Sequence, residues 1–163
     1  PSQMDEIGVY ATSGDTRALG IHLGHRENPA IQGKLKSLCV LDGDSTRQED
    51  VLRGVLKLPG AVPESEVFNY VNSNIDTLAM KLAVGLHMAA SKETHVKSVV
   101  KEVSLHNRDP HLLFSQVGEK AGLIPANIVS SAFIALWMEG NPTEVQRIAS
   151  FIEDAVKGAQ KAT

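Results

Sequence analysis

Short apolar runs broken by glycine, aspartate and serine dominate the first third of the chain. Ile7 to Ala11 reads as a β-run that stops at Ser13-Gly14-Asp15. Thr16 to His25 reads as a helix, weakened by Gly20 and Gly24. Leu35 to Leu41 is a compact apolar run ending at Asp42-Gly43-Asp44, and Val55 to Leu58 is another, closed by Pro59-Gly60. Short apolar strands separated by helical stretches predict a buried parallel sheet with crossovers. The pattern changes near residue 62. Pro63 opens a helix with Glu64 and Glu66 in its first turn, where carboxylates suit the positive helix end. Ile75, Leu78, Leu82 and Leu86 recur at helical spacing, as do Val96, Val99, Val100 and Val103. Asp109-Pro110 opens a further helix that Gly122 ends, and Pro125 starts one that runs through Trp137 to Gly140. Asn141-Pro142-Thr143-Glu144 resembles a capping box before a last amphipathic helix lined by Val145, Ile148, Ile152 and Val156. The expected organisation is an α/β core over residues 1–62 and an all-helical region over residues 63–163, without internal repeats.

Composition narrows the function classes. Hydrophobic residues make up 42% of the 163 positions, enough for a real core, yet aromatics supply only 4%, so Leu, Val, Ile and Ala must fill it. A net charge of −3 argues against a surface that attracts nucleic acid as a whole. Nucleic acid would have to be held by local cations, by a metal or by another part of a larger protein. The single Cys39 excludes an internal disulfide and fits a reducing cytosol. No apolar run approaches the ~20 residues of a membrane span, and Pro1 to Asp5 shows no signal-peptide pattern. The expectation is a cytoplasmic chain without a membrane partner. With Met4 inside its opening segment, it also reads as a fragment.

The candidate chemistry sits at Asp42 and Asp44. Both follow an apolar run directly, and ligands of open α/β sheets gather at the carboxyl ends of strands. Residues i and i+2 of a strand point the same way, so the two carboxylates are expected to converge, with Gly43 allowing a tight turn. Paired hard oxygens suit Mg²⁺ or Mn²⁺. The plain reading of the same residues is a polar turn after a strand.

The stretch Leu38-Cys39-Val40-Leu41-Asp42-Gly43-Asp44-Ser45 resembles the D-x-D motif of Toprim domains. Leu58-Pro59-Gly60 and Pro63-Glu64 after it resemble the overcoming-lysogenization-defect (OLD) nucleases and the related Gabija nuclease subunit. Asp109-Pro110-His111-Leu112-Leu113-Phe114 resembles the opening of their C-terminal helices. The resemblance runs from about Ile7 to about Lys157. It implies a Rossmann-like Toprim sheet followed by the family's helical tail, and a metal-dependent DNA endonuclease joined to an ATPase, with a role in defence against phage. It implies Asp42 and Asp44 as catalytic metal ligands, Asp109 as a ligand of a second metal, and Ser45, Glu64 and His111 as supporting residues. Partners implied are DNA, further copies of the chain, and an ATPase domain or upstream segment outside it. The family's first Toprim strand and its glutamate would precede Ile7, where the only acids are Asp5 and Glu6, so they are expected from that upstream segment, and the ATPase half is expected outside the chain because it has no phosphate-binding G-x-x-x-x-G-K-[ST] loop. In the region of the family's late lysine, Arg147 is the cation present.

Other residues carry competing readings. Asp109 before Pro110 suits a helix N-cap as well as a metal. His22 and His25 have zinc-like spacing but no third ligand nearby. Cys39 reads as buried, and Val129, Phe133 and Trp137 read as core. Lys92, Lys97 and Lys101 read as a solvated basic stripe. Two other function classes stand beside the nuclease. Asp42-Gly43-Asp44-Ser45-Thr46 also fits the D-x-D-x-T nucleophile motif of haloacid-dehalogenase-like phosphatases. The helical region alone would serve as a non-catalytic assembly module, which predicts an exposed apolar patch.

Overall fold

A computed structural model describes residues 8–31 and 36–160, with side chains to residue 154. Among the described residues the fold is mixed α/β, mostly helical, with one small parallel pair of strands. It divides by packing into two compact units. The first takes in the chain to Leu58 together with residues from Ala149 on, and the second runs from Pro59 to Ile148.

In the first unit, helix α1 (Asp15–Glu27) precedes strand β1 (Cys39–Leu41), which pairs in parallel with β2 (Val55–Lys57). The register sets Cys39 against Val55 and Leu41 against Lys57. Cys39, Leu41 and Val55 form a small core, with Ala18 and Leu19 of α1 packed on it. The sheet is smaller than the sequence pattern predicts. Gly8 to Ala11 form no strand, and Val9 and Tyr10 are 89% and 88% exposed. A β-rich composition forms a strand only where a partner edge and a core receive it. The run before Asp42 is strand only from Cys39 on; its start at Leu35 lies outside the described residues, as does Ile7. No α-helix crosses from β1 to β2. The connection is a polar stretch with one 3₁₀ turn (Val51–Arg53), which Asp50 caps by accepting from the Arg53 amide. Asp, Ser, Gly and Thr favour such turns over a helix.

The second unit contains α2 (Pro63–Ser73), α3 (Ile75–Gly85), α4 (Glu93–His106), α5 (Leu113–Gly122), α6 (Ala126–Gly140) and the start of α7 (Pro142–Gln160). Its valine and leucine rows meet at one core: α3 lies on α4 and α6, α5 on α4 and α6, and α2 on α6. Phe68, Val71, Leu82, Val100, Val117 and Phe133 are almost wholly buried there. Phe68, Phe114 and Phe133 cluster within it. Phe133 stacks on Phe68 at 5.6 Å and meets Phe114 edge-on at 5.5 Å. The helical run from Pro63 is interrupted at Asn74, whose side-chain amide donates to the Tyr70 carbonyl at 2.8 Å and competes with helix continuation. Among the described residues no single helix is long and apolar enough to cross a membrane.

Candidate metal centre

Strand β1 ends at Leu41, and the next four residues close a turn in which the Ser45 amide donates to the Asp42 carbonyl at 3.1 Å. Asp42 and Asp44 are both exposed on this turn. The strand pleat therefore does not aim them, contrary to the i, i+2 argument, since both lie beyond the strand. The turn sits at the carboxyl edge of the parallel pair, where a ligand site is expected.

Backbone contacts hold this turn. Ser45 is 8% exposed, and its hydroxyl accepts from the Arg47 amide at 3.1 Å, so it serves the loop's fold. Lys57, at the end of β2, donates from Nζ to the Ser45 carbonyl at 2.8 Å, while its own amide donates to Glu49 Oε2 at 3.0 Å. The Asp50–Val55 bridge closes the far end of the connection with bonds of 3.0 and 2.9 Å. Lys57 was not singled out from sequence. Its signal was a lone cation inside the run Val55 to Leu58, but its place beside the acidic turn depends on the register of a parallel pair.

No family model, no curated protein and no solved structure matches this chain.

The remaining candidate residues lie in the helical unit. Asp109 Oδ1 accepts from the His111 amide at 3.0 Å, which makes it the N-cap of the 3₁₀ turn Pro110–Leu112 that leads into α5. His111 Nδ1 lies 3.2 Å from Glu64 Oε1 in the first turn of α2. Three candidates thus meet around the junction of α2 and α5: Asp109 through its cap, His111 and Glu64 through their side chains. Among the described residues no group of three or more His, Cys, Asp or Glu side chains converges as a metal cluster. Arg147 pairs with Glu144, its guanidinium bonding both carboxylate oxygens at 2.6 to 3.0 Å.

His22 is 2% exposed and tied down at both nitrogens, with Nδ1 2.9 Å from the Ser37 hydroxyl and Nε2 2.7 Å from the Arg53 carbonyl. It fastens α1 to the segments entering β1 and β2, and His25 plays no part in that arrangement. Cys39 is buried, and burial, then the Asp15 charge, pushes its thiol pKa up, away from nucleophilic character. Val129, Phe133 and Trp137 are buried. Of the three lysines read as a stripe, Lys97 pairs with Asp76. In the helical unit, α3 and α6 also flank an apolar groove of about 440 Å³ lined by Met80, Val84, Ala135 and Leu136, with the Lys81–Glu139 ion pair at 2.6 Å on its rim.

Proposed function

We propose that the turn Asp42-Gly43-Asp44-Ser45 holds a divalent cation and that the chain is the metal-binding part of a DNA endonuclease of the Toprim type. One observation carries this reading: two exposed carboxylates share a four-residue turn at the carboxyl edge of a parallel strand pair. The donor set fits Mg²⁺ or Mn²⁺, which takes one or two carboxylates and keeps several waters. It does not suit zinc, which wants four close nitrogen or sulfur donors. Asp42 and Asp44 would hold the ion. When bound, it would supply Lewis-acid polarisation of a phosphodiester and a more acidic water. The chain's own contribution is to present both carboxylates on one short, braced turn. Asp109, with its Oδ1 occupied by capping, enters this proposal only as a ligand of a second cation. DNA is the proposed substrate, and the ATPase partner follows from the resemblance.

The test is cleavage of supercoiled plasmid by the chain in Mn²⁺. D42A and D44A are each expected to abolish cutting while the circular-dichroism spectrum stays unchanged. Cutting that survives both substitutions refutes the assignment. Turnover of an aryl phosphate through an aspartyl-phosphate on Asp42 would assign the phosphatase instead.

A second reading, assembly through the helical unit, draws support from the α3–α6 groove. Met80 and Val84 are more than half exposed beside it, and exposed apolar patches mark interaction surfaces. If this face self-associates, V84E shifts the mass measured by light scattering to that of the monomer. An unchanged mass removes the groove from the interface.

A further inference from the structure

We infer that Lys57 is the positioning residue of the acidic turn: its ammonium, reaching across from the neighbouring strand, orders the backbone on which Asp42 and Asp44 stand. This rests on the cation reading of that turn. The register of the parallel pair puts Lys57 beside Leu41, the last residue before the turn. From there its side chain runs to the Ser45 carbonyl at 2.8 Å, and its backbone amide holds the Glu49 carboxylate at 3.0 Å. One residue therefore fastens the β1–β2 connection at two points, one on the acidic turn and one further along. A turn bearing two like charges is pushed toward open conformations by their repulsion. The ammonium opposes that push by bonding the turn's backbone at the Ser45 carbonyl. The turn is thus ordered before a cation arrives, which lowers the ordering cost of binding.

Two effects of Lys57 on a bound cation oppose each other. Its charge repels a divalent ion, and its bond pre-forms the site. Lys57 is only half-buried, so solvent screens the repulsion while the bond remains local. Positioning is the stronger effect, and loss of the ammonium weakens binding.

The experiment compares wild type, K57M and K57R as full chains, first without metal. Hydrogen–deuterium exchange over residues 42–50 is expected to accelerate about tenfold in K57M, the lower end for losing a charge-assisted bond, and to stay near wild type in K57R. Mn²⁺ titration followed by electron paramagnetic resonance is then expected to show about tenfold weaker binding in K57M, with recovery in K57R. Unchanged exchange in K57M overturns the inference whatever the Mn²⁺ result. Faster exchange with equal or tighter Mn²⁺ binding also overturns it, leaving Lys57 as a brace of the fold alone. A wild-type chain that binds no Mn²⁺ overturns the cation reading, while the metal-free exchange still decides whether Lys57 orders the turn. A K57M chain that unfolds is recognised by circular dichroism, and K57R then decides: exchange and Mn²⁺ binding at wild-type levels support the inference, and loss of both overturns it.

Discussion

Asp109 separates a structural from a chemical role more sharply than any other candidate. Its Oδ1 accepts the His111 amide at 3.0 Å, directly before Pro110, at the entrance to α5. Removing an N-cap oxygen costs about 1 kcal/mol, while serine and asparagine cap nearly as well as aspartate. D109A is therefore expected to lose about 1 kcal/mol, and D109S and D109N only a few tenths. For a chain of this size that is a drop in melting temperature of roughly 2–4 °C for D109A alone. Urea unfolding followed at 222 nm gives the same ordering through the midpoint at constant slope. D109N keeps the cap and removes the charge, so it isolates any metal role. If Asp109 only caps, D109N cuts plasmid at the wild-type rate. A D109N chain that is as stable as wild type but fails to cut returns Asp109 to the metal shell. If D109S and D109N are as unstable as D109A, capping does not account for Asp109.

Two further outcomes test the helical unit. A Cβ at Gly118 would clash with the Ile124 carbonyl oxygen, where the chain turns back and the Ile124 amide donates to the Gly118 carbonyl at 2.9 Å; G118A is expected to cost about 2 kcal/mol or more by urea unfolding, and a neutral effect would contradict the geometry of that turn. The Asp76 carboxyl is held below the usual aspartate range, first by its hydrogen bond to Lys97 and then by the charges of Lys97 and Lys101. A lowered folded pKa stabilises the fold above the unfolded value and loses that contribution as pH falls through the folded one. The stability gap between wild type and D76N should therefore shrink on acidification below the ordinary aspartate range, and a gap that widens there refutes the pairing.

The helical unit was legible because its signals are local. Pro63, Asp109-Pro110, Pro125 and Pro142 each stand at or beside the start of a helical segment, and the valine row of α4 faces the core as its spacing predicts. A local signal also stands at Asn74, where a short side-chain amide bonds the Tyr70 carbonyl and competes with the helix. The first unit was less legible because a strand needs a partner. Val9 and Tyr10 have strand-forming side chains but lie exposed outside the sheet.

The acidic turn shows the same limit at the level of chemistry. Asp42 and Asp44 could be picked out from their neighbours in sequence, because a strand end and a polar break are both local patterns. The means of holding them could not. An i, i+2 pairing of the two carboxylates needs a strand that continues through Asp44, whereas β1 stops at Leu41 and a hydrogen-bonded turn takes over. The bond from Lys57 to Ser45 spans a parallel register that no spacing rule encodes, since a parallel partner is reached only after a connection of variable length. One bond to the turn thus comes from a residue thirteen positions beyond Asp44 in sequence but paired with Leu41 in the sheet. That is why the ligand candidates were visible before the structure and the residue that positions them was not.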